Sequence, residues 1–426
     1  MKVPHYKEIE KCRVCGNNNL LEVISIKEQF LSPTFVETNN NNYLSEIKVK
    51  QTLLLCDKEN DGCGLLQMKE TVNPDLLYSQ YFYRSSTNEL MKNDLKKVVE
   101  FTKNNINLAA NDIVVDIGAN DCTMIQWFPE ECKRIGVEPA SNISWKNVND
   151  SIIIVNNYFS AKAIEGVLGN KKVKAFTACA MFYDLDNPND FVSDIKNSLA
   201  DDGVFVIQLS YLPAMLRNMN FYDICNEHLE YYSLETLNYL MNKNGLEIYD
   251  ASENHVNGGS ILVAISHINS RIKTKRYLGL MEKEKEYDLF NPETYKKFYH
   301  RILDLKEKIK SYIDLEIQNE NKVIALGAST KGNMLLQLFD LDKTIIPFIS
   351  EKNEDKVGLK TLGTDIELIS EKRAREEIKP SCMLVLPWYF KEEIVKRELE
   401  YIQNGGTLLF PMPYAHTIDM SGEKLL

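Results

Sequence analysis

The spacing of apolar positions changes several times along the chain, and each change predicts a different element. Over residues 1–75 the short apolar runs Leu20–Ile26 and Ile47–Cys56 predict a small β-rich unit. Residues 84–110 place Leu90, Leu95, Val98, Val99 and Phe101 near helical spacing and predict a helix. Compact β-branched runs then alternate with helical patterns: Ile113–Ile117, Arg134–Val137, Ile152–Val155, Lys174–Thr177 and Val204–Leu209. A strand covered on both faces reads as a continuous apolar run, so this alternation predicts a parallel, doubly wound sheet. Residues 270–320 are rich in Lys and Glu, with Tyr295, Phe298, Ile302, Leu305, Ile309 and Ile313 at helical spacing. Long helices with a solvated charged face are expected there. A second strand set, Val323–Leu326, Ile345–Ile349, Cys382–Leu386 and Leu408–Phe410, predicts a smaller α/β lobe. The expected division is 1–75, 76–269, a helical linker 270–320, and 321–426.

Composition narrows what such a chain does. Its 426 residues, 44% hydrophobic and 26% charged, exclude a mainly disordered chain and a disulfide-dense mini-protein. Fifty basic residues against 61 acidic ones leave a net charge of −11, so no global basic field draws in nucleic acid. No apolar stretch approaches the roughly 18 residues of a membrane span. The start, MKVPHYKEIEKC, lacks the apolar core of a secretion signal, and a cytoplasmic location is expected.

In that reducing compartment the nine cysteines are thiols or metal ligands. Four fall within the first 63 residues: Cys12, Cys15, Cys56 and Cys63. Cys12-Arg-Val-Cys15-Gly16 has the shape of a zinc knuckle, in which a turn aims two thiolates at one ion and glycine tolerates the positive φ beyond it. The second pair is wider, with Asp57–Gly62 between its ligands. Four thiolates around one structural Zn²⁺ would staple a segment too small to build a large core. The competing reading is a set of buried free thiols. A redox pair lacks its βαβ surroundings.

The first strand of the alternating region ends Asp116-Ile117-Gly118-Ala119-Asn120-Asp121. Ligands of such sheets bind beyond the carboxyl ends of the strands. The dinucleotide motif needs further glycines, yet positions 120 and 123 are Asn and Thr. One glycine and two acids suit an uncharged or cationic ligand better than a pyrophosphate. S-adenosylmethionine fits, since it carries a sulfonium, an ammonium and a ribose but no phosphate. Glu138, ending the next strand, can accept hydrogen bonds from both ribose hydroxyls. Against this, Asp116 and Glu138 would merely cap helices. In the second lobe, Gly327-Ala328-Ser329-Thr330-Lys331-Gly332 joins a strand to a helical pattern. Backbone N–H groups, a hydroxyl and a lysine there make a phosphate cradle, each helix-terminal charge contact contributing about 0.3–1 kcal/mol. A plain strand–helix turn with a solvated lysine is the alternative.

Together these motifs resemble the bacterial sugar C-methyltransferases, which act on nucleotide-linked keto-sugars. The resemblance spans nearly the whole chain. It is carried by the two cysteine pairs with Gly64-Leu65-Leu66-Gln67, by Tyr81-Phe82-Tyr83-Arg84-Ser85-Ser86, by Asp116–Asp121 with Glu138-Pro139, by Glu227-His228 ahead of Tyr231-Tyr232-Ser233, by Asn257-Gly258-Gly259, and by Gly327–Lys331. It implies an α/β fold with a small zinc-binding N-terminal domain, a class I Rossmann-like methyltransferase domain and a second, smaller α/β lobe. It also implies S-adenosylmethionine bound by Asp116, Gly118, Asn120, Asp121 and Glu138, and a sugar nucleotide as the partner, met by Ser329, Thr330, Lys331 and Asn257. Neither nucleic acid nor membrane is expected as a partner, and the oligomeric state stays open.

Methylating carbon requires a carbanion equivalent. In a 4-keto sugar a base removes the proton beside the carbonyl, and a donor stabilises the resulting oxyanion. His228 is the base candidate, because histidine titrates near neutrality and Glu227 stands next to it; the resemblance assigns the base to the same position. A satisfied core histidine is the bland alternative. The resemblance favours Tyr83 as an active-site hydroxyl, whereas Tyr222 is a weaker candidate. Four departures from the family pattern surround the acceptor. No histidine follows the fourth strand, where Tyr183 lies nearest. Cys225-Asn226 replaces Tyr-Asp, Cys122 stands where a glycine is usual, and Trp388-Tyr389 replaces an aromatic–Asn pair. Cys179 and Cys225 are expected to be small buried hydrophobes. Carbon methylation of a nucleotide-linked keto-sugar is the leading expectation, with O-methylation of a sugar or nucleotide sugar in surface polysaccharide biosynthesis behind it. A non-catalytic zinc-containing scaffold and a nicotinamide oxidoreductase are more distant readings.

Overall fold

The β-branched runs form the centre of a seven-stranded sheet. Its strands in chain order are β1 (Ile113–Ile117), β2 (Lys133–Val137), β3 (Ile152–Val155), β4 (Val173–Cys179), β5 (Leu199–Ser210), β6 (Leu246–Asn254) and β7 (Ser260–His267). They lie in the order β6-β7-β5-β4-β1-β2-β3. The five from β3 to β5 run parallel, and β7 pairs antiparallel with both β5 and β6. Strand order reverses between β1 and β4, which makes their carboxyl ends the switch point where open α/β sheets hold ligands. The computed structural model describes residues 5–31, 35–37, 47–78, 84–87, 89–146 and 148–426.

Burial explains why the runs are continuous. Ile113, Val115 and Ile117 enter one core while Val114 enters the other, and β5 and β7 alternate in the same way. On the first face lie the helices α2 (Ala161–Leu168), α3 (Pro188–Ser198) and α4 (Leu234–Lys243). On the second lies α1 (Glu89–Asn105). That helix is shorter than the expected 84–110 at both ends. β6 and β7 add an antiparallel edge that the sequence reading did not mark. The register of β6 on β7 shifts between Ile248 and Asp250, and Asp250 is a buried acid held by Thr274 Oγ1 at 2.7 Å and Arg276 Nε at 3.1 Å.

The chain divides into two compact units. Unit one collects 1–21, 54–214 and 227–292; unit two collects 22–53, 215–226 and 293–426. Compactness therefore cuts the chain at places other than the linear boundaries that motif order suggests. Unit two contains a nine-stranded sheet built from β8 (Val323–Leu326), β9 (Phe348–Glu351), β10 (Leu359–Thr361), β11 (Glu367–Ser370), β12 (Cys382–Val385), β13 (Thr407–Phe410), β14 (His416–Asp419) and β15 (Gly422–Leu425). Their order is β15-β14-β13-β12-β8-β9-β11-β10, and the strand Phe35–Glu37 closes the edge beside β10. β9 starts later than the expected Ile345–Ile349 because Pro347 has no N–H to give the ladder. The long helix α6 (Pro292–Gln318) buries the stripe Tyr295, Phe298, Ile302, Leu305, Ile309 and Ile313, as its spacing predicts.

The charge run ahead of that helix is not wholly a solvated face. Glu284 ends the helix α5 (Lys275–Glu284) and is 5% exposed. Its carboxylate accepts from Tyr211 Oη at 2.7 Å and from the backbone N–H groups of Leu234 and Glu235 at 2.7 and 2.8 Å, so it caps α4. Burial pushes its carboxyl up, and these three donors oppose the shift. Glu284→Ala should lower the unfolding free energy in urea by about 1–3 kcal/mol, because it strands buried donors. A change below about 0.5 kcal/mol would show that those N–H groups find other partners.

Candidate active site

The loop after β1 is shaped by one glycine and one carboxylate. Gly118 sits at φ +69°, and a Cβ there would stand 3.1 Å from Met181 Cγ. Its N–H donates to Val137 O at 2.9 Å, docking the loop on the end of β2. Glu138 then accepts the N–H of Asn120 at 2.8 Å and that of Ala140 at 2.8 Å. The carboxylate is 6% exposed; burial raises its pKa and the two N–H groups oppose the rise. It caps no helix but ties two strand-end turns together. Asp116 lies deeper, and Thr177 on the neighbouring β4 donates to its Oδ1 at 2.9 Å. Burial pushes Asp116 up to about 7; Thr177 works against the shift and Glu138 adds to it. Asp121 accepts the N–H of Ser86 at 2.9 Å and the hydroxyl of Thr123 at 2.6 Å. The side chain of Asn120 accepts the N–H of Ser85 at 3.1 Å. The segment after Tyr83 is thus anchored on this loop, while Tyr83 itself lies outside the described residues. Cys122 adopts φ +62°, a conformation that suits glycine, and its thiol occupies the space over Gly136. Burial pushes that thiol up to about 12 and the Cys179 thiol well above its ordinary range, which suits packing residues better than nucleophiles.

Elsewhere in unit one, Tyr183, Glu227 and His228 come together. The rings of Tyr183 and His228 have centroids 4.2 Å apart. The N–H of Leu229 donates to Tyr183 O at 2.8 Å, which fixes the two segments side by side. Glu227 is buried, and its charge helps to raise the carboxyl of Asp184, for which burial is the larger cause. Asn257 sits at φ +53° in the turn between β6 and β7.

The four N-terminal thiols form one cluster, with all four sulfurs within 4.8 Å of one another. Cys12 and Cys63 Sγ are 3.6 Å apart, and Cys15 and Cys56 Sγ 3.4 Å. A tetrahedron of roughly 2.3 Å Zn–S bonds has edges of about 3.8 Å, so these residues fit zinc. The wide Cys56–Cys63 spacing is taken up by a 3-10 turn, Lys58–Asn60, closed where Gly62 N–H donates to Asp57 O at 2.8 Å. A Cβ on Gly62 would lie 2.8 Å from Cys56 Sγ. The knuckles are joined by Asn17 Nδ2, which donates to Asn60 O at 2.7 Å. Hydrogen bonds from Cys12, Cys56 and Cys63 hold the Cys15 thiol well below its ordinary range.

In unit two, Ser329 caps the helix α7 (Thr330–Leu338), its Oγ accepting the N–H of Gly332 at 3.0 Å. Lys331, expected in the phosphate cradle, is not the solvated lysine of the alternative reading. Its Nζ is 3.1 Å from Asp223 Oδ1 and lies over the rings of Tyr222 and Tyr389, 4.6 and 5.5 Å from their centroids. Burial pushes Asp223 up, and the Lys331 ammonium holds it down.

Three family models divide the chain between them. A zinc binding domain matches residues 12–78, a methyltransferase domain 81–251, and a C-methyltransferase C-terminal domain 255–413. Together they mark the chain as a methyltransferase with a zinc-binding domain and a C-methyltransferase C-terminal domain. The C-methyltransferase NovU of Streptomyces niveus is 26% identical to it over 417 residues, 97% of each chain. Among solved structures, it is similar to an S-adenosylmethionine-dependent methyltransferase from Clostridium acetobutylicum (14% identity, 43% of this chain and 93% of that one, TM-score 0.33). Another is an O-methyltransferase from neocarzinostatin biosynthesis (14% identity, 42% and 56%, TM-score 0.32).

This methyltransferase uses S-adenosylmethionine and has a zinc-binding domain. Among the described residues no helix is long and apolar enough to cross a membrane. Several contributors were missed in the sequence. Thr177 and Asp184 lie on segments already singled out, but nothing local marks them. Glu351 had a visible signal, since it ends β9 as Glu138 ends β2. Its carboxylate accepts the N–H groups of Ala328 and Asn353 at 2.7 and 2.8 Å, in the manner of Glu138.

Two measurements follow from this geometry. Metal analysis should find one zinc per chain, and Cys63→Ala should lower that stoichiometry. A raised pKa means that Asp116 holds a proton below about 7 and costs folding stability as pH rises from the ordinary carboxylate range towards that value. A cationic donor favours the carboxylate. Calorimetric affinity for S-adenosylmethionine should therefore weaken as pH falls from about 8 to about 6, with a proton released on binding at the lower pH. Asp116→Asn should flatten the dependence; an unchanged profile in that variant would assign it to another group.

Proposed function

We propose that this methyltransferase acts in the cytoplasm on a nucleoside-diphosphate-linked keto-sugar and methylates the carbon beside its carbonyl. What supports this most is His228, half-buried against Tyr183 beside buried Glu227, in the same unit as the donor loop. Bound S-adenosylmethionine supplies an electrophilic methyl group. On this reading the neutral imidazole of His228 takes the proton next to the carbonyl, and Glu227 favours the imidazolium that results. Tyr183, with Tyr83, donates to the oxygen on which enolate charge develops. Asp116, Gly118, Asn120, Asp121 and Glu138 hold the donor, and Cys12, Cys15, Cys56 and Cys63 the zinc.

Recognition of the sugar nucleotide falls to the start of α7. Because Lys331 is already paired with Asp223, the N–H groups and the Thr330 hydroxyl carry more of the diphosphate contact than a free lysine cradle would. Half-buried and backed by an acid, Lys331 serves as a donor of fixed direction.

The test is mass spectrometry after incubation with labelled S-adenosylmethionine and a panel of keto-sugar nucleotides, followed by carbon NMR of the product. A C–CH₃ resonance is expected; an O–CH₃ resonance would overturn the choice of acceptor atom. His228→Ala should bind S-adenosylmethionine within about twofold of the parent and lose roughly 10²–10⁴ in turnover. Full activity in that variant would remove His228 as the base.

A further inference from the structure

Between the two ligands of the first zinc knuckle stands a residue with an unusual environment. The Arg13 side chain is 2% exposed although it belongs to a four-residue turn near the start of the chain. Its Nη1 donates to Met68 O and its Nη2 to Thr71 Oγ1, each at 2.6 Å. Its own N–H donates to Gln67 Oε1 at 3.0 Å. Its Nε lies 3.8 Å from Glu230 Oε1 and 3.8 Å from Asp186 Oδ1. Glu230, whose side chain is 0% exposed, follows His228 by two positions. The Glu230 carboxyl, wholly out of water, has this guanidinium beside it, and a guanidinium with its other nitrogens already spoken for cannot wander.

The backbone repeats the connection. Glu230 and Tyr231 pair antiparallel with Gln67 and Leu66, on the strand that follows Cys63. The N–H of Met68 donates to Leu229 O at 2.8 Å, while Leu229 N–H is spent on Tyr183 O. His228 therefore precedes three residues clamped to the chain just beyond the knuckles, on the side chain that one knuckle presents. The knuckles share a core with the sheet as well, since Cys12, Val14, Cys56, Cys63 and Leu65 pack with Leu234, Leu237 and Tyr232.

We infer that Arg13 and Glu230 are positioning residues through which the zinc knuckle sets the placement of His228. This rests on the reading of His228 as the base. Zinc bound by Cys12 and Cys15 fixes the turn carrying Arg13, and zinc bound by Cys63 fixes the start of the strand Leu66–Met68. The metal then governs turnover without touching donor or substrate.

Hydrogen exchange read by mass spectrometry tests the coupling without recourse to activity. Peptides covering 227–232 are compared in the zinc-loaded protein, in the same protein stripped with a chelator, and in Glu230→Gln. Exchange in those peptides should rise at least about tenfold on stripping and in the variant, while β1 and β4 keep their protection. Kinetics supply the second arm. Arg13→Met and Glu230→Gln, at full zinc content, should lower kcat by about 100-fold, the scale of a misplaced catalytic group, with S-adenosylmethionine affinity within about twofold. Arg13→Lys, which keeps the cation but loses the fork to Met68 and Thr71, should restore only part of that loss. Unchanged protection of 227–232 on stripping, or wild-type kcat in both Arg13→Met and Glu230→Gln, would overturn the inference. Should His228→Ala keep full turnover while exchange still rises on stripping, the coupling stands and the base assignment falls.

Discussion

A carboxylate buried under a turn has to be met by donors, and each unit has one such group at the end of the strand next to its glycine loop. Glu138 takes the N–H groups of Asn120 and Ala140; Glu351 takes those of Ala328 and Asn353. Gly118 and Gly327 make the turns possible at φ +69° and +80°, and both dock by an N–H on the carbonyl of the residue before the acid. Each charge is costly to bury, so the backbone around it has little freedom to rearrange. The loops are therefore formed in advance of any ligand, and binding need not supply the energy of ordering them. The surroundings of the first loop are arranged about it: Asp116 paired with Thr177, Ser85 and Ser86 hydrogen-bonded to Asn120 and Asp121, and Cys122 filling the space over Gly136.

The second organising element is the thiol cluster. A small cysteine-rich segment is often an appendage whose loss leaves its neighbours intact. Here the cysteines share a core with Phe182, Leu234 and Tyr232, and the strand beyond Cys63 is hydrogen-bonded to the residues after His228. Metal, core and proposed base thus lie along one short chain of contacts within unit one. Glu284 contributes to the same neighbourhood by capping α4, which begins four residues after Glu230.

Much of this was legible in the sequence because it is local. Ile113–Ile117 reads as a central strand since both its faces are apolar, and the cysteine spacing encodes a turn geometry that holds regardless of the surrounding fold. The buried stripe of Pro292–Gln318 was readable because one residue in three or four simply repeats. What escaped depends on contacts between distant positions. Nothing near Lys331 in the sequence marks Asp223 as its partner. Nothing near Arg13 marks Glu230, 217 positions on, as its neighbour. Glu284 sits within a run of charges and differs from them only in what it touches. β6 was hidden by Asp250, whose polarity breaks the strand pattern and whose partners, Thr274 and Arg276, come from the following segment.

The division of the chain also bears on how such an enzyme can change over evolutionary time. Its path switches between the two compact units at 21/22, 53/54, 214/215, 226/227 and 292/293. The strand Phe35–Glu37 completes the edge of the sheet whose other members lie beyond residue 322. A single genetic crossover near residue 292 would import a C-terminal lobe without its own edge strand and without the 215–226 segment that carries Asp223 to Lys331. Interleaving of this kind closes the route of exchanging whole lobes as cassettes. The two units are therefore inherited together, because each is built from chain that flanks or interrupts the other.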